Sequence, residues 1–240
     1  MSFLPTILKN ASLDQETHDV DPKGLNTFLR SAVTWPRQNR QGQVVATASY
    51  IETAVGLLED LSGHYSLNPD VWRSALLSSS QAARYESEKG WLLVSQCCKH
   101  LMAHNYDLNT TIVAKGLKSA FKTKDAELAS EIIMRVFNSS RNSAEDVSFH
   151  HDIDPKSSTT FIELSKSDLF RSIELCINNK RPELANAILS KCSCVDWLRM
   201  PKVTLSELTT AVITGYAQSG DLSSAERIFQ EMEFQGLKKR

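Results

Sequence analysis

Near the end of the chain, apolar residues line one side of a helix twice in quick succession. Leu208, Ala211, Val212, Gly215 and Tyr216 recur at the three- and four-residue spacing of a single helical face. Leu222, Ala225, Ile228, Phe229 and Met232 do so again a few residues on. Thr204 followed by Glu207 reads as a capping box opening the first helix. Gly220 supplies a left-handed residue to end it, Asp221 an N-cap for the second helix, and Gly236 a stop. Two helices joined by so short a turn must pack antiparallel, and the small Ala225 lets their backbones approach.

The same register recurs upstream. A small residue is followed three and four positions later by large apolar ones at Ala54, Gly90, Ala129, Ala185 and Ala225, spaced by 36, 39, 56 and 40 residues. Such spacing is the signature of stacked helical repeats. A further apolar face precedes each core: Leu25, Phe28 and Leu29; Val71, Trp72, Ala75 and Leu76; Val113, Leu117, Ala120 and Phe121; Leu169, Ile173, Cys176 and Ile177. Pro182 with Glu183 marks a first helical turn in the fourth unit. The pattern predicts an all-α chain of about five helix-turn-helix hairpins stacked as an α-solenoid. An irregular globular helical domain is the alternative, since small-x-x-large-large spacing occurs in any helix. The long interval holds the polar, Ser-rich stretch from Asn138 to Thr160, expected to be a surface loop or a disordered insertion. The expected layout is an N-terminal arm over 1–20, three repeats over 21–137, a polar insertion over 138–165 and two repeats over 166–240.

Composition narrows the function classes. Nine glycines and seven prolines are few for 240 residues, which favours long helices over a turn-dense β fold. A net charge of −1 carries no bulk nucleic-acid footprint, so any basic track must be local. No apolar run approaches the roughly 18 residues of a membrane span. The opening MSFLPTILKN is apolar, but Asp14, Glu16, Asp19 and Asp21 follow closely, unlike a transit peptide or a secretory signal. The expectation is a cytoplasmic chain, or one whose address is removed before Met1 or carried unconventionally. Five cysteines, an odd number in helix-like segments, read as reduced and mostly buried thiols.

The stretch ELTTAVITGYAQSGDLSSAERIFQEMEFQGLKK resembles a pentatricopeptide repeat (PPR). The residues that carry this are the Ile-x-Gly-Tyr ending of the first helix, the Ser-Gly-Asp-Leu turn, the Ala and Ile-Phe-x-x-Met of the second, and Gly-Leu-Lys after it. LNPDV, Leu67 to Val71, resembles a junction between two such repeats. A tetratricopeptide repeat is the near competitor, but its Leu-Gly-x-x-Tyr pattern and the proline after its second helix are not found. The resemblance implies a right-handed solenoid that binds single-stranded RNA in a mitochondrion or plastid, one base per repeat. The family's reading positions are the fifth and last of each repeat; counted from Ser206 they fall on Thr210 and Arg240. The chain departs from the family at Arg240, where a small or acidic residue is usual, and at Glu207, where an apolar one is. The second unit would present Ala75, which cannot hydrogen-bond.

Lys115, Lys118 and Lys122 stand at helical spacing on one face, which suits phosphate contacts as well as a solvated surface; Lys124 follows in the turn. Asp152, Asp154 and Glu163 occupy the first, third and twelfth places of a calcium loop, but Lys156 sits at a ligand place and Ser157 where the turn needs glycine. His150-His151 and Cys192-Ser193-Cys194 lack second pairs at zinc spacing. Gly116-Leu117-Lys118-Ser119 reads as mid-helix rather than as a phosphate loop. The expected function is therefore non-enzymatic, with no cofactor and no metal: single-stranded RNA binding in organellar RNA processing, stability or translation. The alternative is a helical-repeat scaffold making protein contacts in a larger (organellar) complex. On either reading the apolar flank of the last hairpin is expected to meet another chain or further repeats.

Overall fold

The computed structural model describes residues 27, 29, 30, 48–63, 67–146, 164–194 and 202–237. Among these described residues every regular element is an α-helix. In chain order they are α1 (Ala48–Ser62), α2 (Pro69–Ala82), α3 (Ser87–Ala103), α4 (Thr110–Thr123), α5 (Ala126–Asp146), α6 (Lys166–Asn178), α7 (Pro182–Cys194), α8 (Lys202–Ser219) and α9 (Leu222–Phe234). Each helix packs on the next along the chain. The first helices of successive hairpins, α2, α4, α6 and α8, also touch one another in that order, as α1 touches α3 and α5 touches α7. Contact confined to near neighbours is the order of an all-α helical repeat.

Local chemistry explains the element boundaries. Side-chain oxygens cap the starts of the helices: Asn68 accepts from the Asp70 amide (2.8 Å), Asn109 from Ile112 (2.9 Å), Asp125 from Leu128 (3.0 Å) and Asp221 from Ser224 (3.0 Å). One C-terminal turn recurs five times. A left-handed residue stands at Asn105, Lys124, Lys180, Gly220 and Gly236. The next amide then reaches back to a carbonyl of the last helical turn: Tyr106 to Leu101 (3.0 Å), Asp125 to Ala120 (2.9 Å), Arg181 to Cys176 (2.9 Å), Asp221 to Tyr216 (3.0 Å) and Leu237 to Met232 (3.1 Å). Gly220 and Gly236 meet expectation, whereas Lys124 and Lys180 hold the same backbone without being glycine.

The small residue of each core is buried at all five places: Ala54, Gly90, Ala129, Ala185 and Ala225. Gly90 shows why it must be small, because a Cβ there would stand 2.4 Å from both N and Cα of Ala83. One apolar cluster runs from Leu29 through Trp72, Ile132 and Ile173 to Ile228. One polar group inside it is bonded across hairpins, where the Ser119 hydroxyl donates to the Trp91 carbonyl at 2.7 Å. Cys97, Cys98, Cys176 and Cys192 are free and buried, and burial raises the thiols of Cys98, Cys176 and Cys192 to about 12.

Two boundaries differ from expectation. Helix α5 runs on to Asp146, into the polar stretch expected to be loop from Asn138. Helix α8 begins at Lys202, so Thr204 lies inside its first turn and does not cap it. The arm over 1–20, the calcium-like loop from Asp152 to Glu163, the His150-His151 pair and Arg240 lie outside the described residues. Among the described residues no helix is long and apolar enough to cross a membrane.

Candidate nucleic-acid interface

Three helices of the first-helix row, α4, α6 and α8, carry exposed polar residues. On α4, Lys118 and Lys122 are exposed while Lys115 is half-buried. The Lys118 Nζ stands 5.1 Å from the centroid of the Trp91 ring, a position that holds the ammonium while leaving it open to a phosphate. On α6, Arg171, Glu174 and Asn178 are among the exposed residues, and the Arg171 guanidinium lies 4.3 Å over the Phe121 ring of α4. A second cation thus joins the lysine face from the neighbouring hairpin. On α8, Glu207, Thr210, Thr214 and Gln218 are exposed.

Between α6 and α8 this surface opens into a cleft of about 490 Å³. Its floor is apolar, with Phe170, Ile173 and Ile177 from α6 and Leu208 and Ala211 from α8. Its rim is polar, with Glu174 and Asn178 on one wall and Glu207, Thr210, Thr214 and Gln218 on the other. Gly215 brings the two walls together, since a Cβ there would come within 2.9 Å of Ile177 Cγ1. The Thr210 hydroxyl donates to the Ser206 carbonyl at 2.8 Å and the Thr214 hydroxyl to that of Thr210 at 2.9 Å. Both oxygens therefore face a ligand as acceptors.

A larger cleft, about 660 Å³, lies at the turn edge between α3 and the turns at Lys124 and Asn179. Its charges pair across hairpins, Lys99 with Asp125 and Arg181 with Glu127, each at 2.6 Å. Burial by itself would raise the Asp125 carboxyl, but hydrogen bonds from Lys99 and the Leu128 amide hold it below its ordinary value. These pairs tie consecutive hairpins together, so this cleft is structural despite its size.

Residues 208–237 match the family model of the PPR repeat. The last hairpin is a pentatricopeptide repeat. The match spans the last hairpin, from Leu208 in α8 to the buried Leu237 beyond Gly236. No curated protein matches the chain.

Thr210, within the matched repeat, lines the cleft, while Lys118 and Lys122 lie on α4 of an earlier hairpin. The site expectations thus fall on one row of helices but not at one point. Ala75, the second unit's counterpart, is fully buried in α2 and presents nothing to solvent. Arg171, Glu174, Asn178 and Gln218 were not singled out from the sequence. The signal that could have found the first three is their polar spacing opposite Leu169, Ile173 and Cys176.

Proposed function

We propose that this PPR protein binds single-stranded RNA along its row of first helices and has no catalysis of its own. Phosphates meet Lys115, Lys118, Lys122 and Arg171, and a base enters the cleft between α6 and α8. The observation that carries this is the cleft itself, apolar below and polar at the rim, with Thr210 of the matched repeat on its edge. That is how an RNA-binding repeat reads an unstacked base, by apolar contact on its faces and hydrogen bonds at its edge. By family habit the setting is RNA processing, stability or translation in a mitochondrion or plastid, with Arg240 as a second contact.

A second reading is a scaffold in a larger assembly. It is favoured by Leu222 and Phe234 on α9, which are 67% and 95% exposed, a surface suited to a protein partner.

The test is binding to a pool of single-stranded RNA across a salt series, for the wild type and for the Lys115→Ala/Lys118→Ala/Lys122→Ala variant. The expected result is affinity falling steeply with salt, with the log–log slope reduced by about 2 in the variant, near 0.7 per lost contact. Absence of binding at low salt would refute the RNA reading in favour of the scaffold.

A further inference from the structure

The rim of the cleft between α6 and α8 is one-sided in its hydrogen-bonding chemistry. Among the described residues that line it there is no lysine, arginine or histidine. Glu174 and Glu207 place a carboxylate on each wall, and the hydroxyls of Thr210 and Thr214 already spend their protons on helix carbonyls. Donors to a ligand come only from the amides of Asn178 and Gln218. A rim of this composition suits a flat, neutral group whose edge is rich in donors better than a phosphate.

We infer that this cleft selects guanine. The inference rests on the RNA-binding reading and deepens it. Among the four bases only guanine carries two adjacent donors, N1–H and the N2 amine, on its pairing edge. A carboxylate accepts both at once as a bidentate pair, which adds geometric specificity to charge-assisted strength. The amide of Asn178 or Gln218 is then left to donate to O6. Adenine and cytosine offer one amine beside a ring acceptor that would face a carboxylate, and uracil one imide flanked by two acceptors. The apolar floor formed by Ile173, Ile177 and Leu208 contacts the face of the base. The charges divide accordingly: cations on α4 and at Arg171 for the backbone, carboxylates for the base.

The experiment is fluorescence anisotropy with short oligouridylates carrying one central guanosine, adenosine, cytidine or inosine. It uses the wild-type chain and the Glu174→Gln, Glu207→Gln and double variants, with circular dichroism to verify that each is folded. The expected result is binding about tenfold tighter for the guanosine oligomer, an advantage lost with inosine, which keeps N1–H but lacks the N2 amine. The double variant should lose the preference for guanosine over the other oligomers. Equal affinity for all four oligomers, a preference for adenosine or cytidine, or a guanosine preference that survives in the double variant would overturn the inference and leave RNA binding standing. Absence of binding to every oligomer would overturn the RNA reading and this inference with it.

Discussion

Gly90 offers the sharpest test of how these hairpins are packed. It stands inside α3, where replacing glycine by alanine ordinarily stabilises a helix by about 1 kcal/mol. Gly56, inside α1, has no neighbouring atom within 4 Å of where a Cβ would stand. Gly56→Ala should therefore gain about 0.5–1 kcal/mol. At Gly90 the same methyl would lie 2.4 Å from N and Cα of Ala83 and 2.7 Å from its Cβ. Carbon atoms rest at about 3.5–4.0 Å, so α3 and the Ala83 turn would have to part by about 1 Å. The obstacle is backbone, and no rotamer change relieves it. Separation would also loosen Val94, fully buried one turn further along α3. Overpacking costs about 1–3 kcal/mol and a backbone obstacle stands toward the upper end, about 2–3, so that after the propensity gain of about 1 the net loss is about 1–2 kcal/mol. Urea unfolding followed by far-ultraviolet circular dichroism, run on both variants and the wild type, would measure it. A Gly90→Ala chain as stable as the wild type, with an unchanged denaturant slope, would refute the packing argument.

The recurring turn yields a pair of opposite substitutions. Gly220→Ala, forced to a φ of 87°, should cost about 1 kcal/mol, and Lys124→Gly, relieving a φ of 57°, should gain about as much; thermal melts would measure both. His100 gives a pH dependence: its ring lies 3.6 Å from that of Trp72 and 4.3 Å from that of His104, and burial first, then the His104 charge, lowers it from 6.5 to about 4. The unfolded chain binds this proton more tightly, so the contribution is whole above pH 6.5 and drains as pH falls toward 4. Because the ring is only half-buried, solvent screening reduces the effect to about 1–2 kcal/mol. Urea melts at several pH values should show His100→Gln losing that part of the acid sensitivity.

Much of the fold was legible because its causes are local. The faces built on Val71, Val113, Leu169 and Leu208 formed helices with those residues buried, and Gly220 and Gly236 ended helices as glycines do. Lys124 and Lys180 were not legible as left-handed residues. Their backbone strain is offset by the closing hydrogen bonds of a packed hairpin, and nothing in a lysine announces it. Helix α5 was read too short because apolar spacing reports burial and not helicity. Beyond the buried Val136 and Phe137 it continues for about two turns on its own hydrogen bonds. On the candidate interface, Thr210 and the lysines were visible as residue types at a spacing, whereas Arg171 was not, because its place over Phe121 depends on how α4 and α6 lie together.

The sequence by itself determined where the helices lie, apart from the end of α5 and the start of α8, which face of each is buried and that the unit is a hairpin, since capping, left-handed stops and apolar periodicity all act within a few residues. Only the tertiary structure decided that Gly90 meets Ala83, that Gly215 meets Ile177, and that α6 and α8 enclose a cleft with a carboxylate on each wall. Those features depend on the distance and angle between helices, which are set where side chains from separate segments come into contact, and no local pattern encodes that meeting.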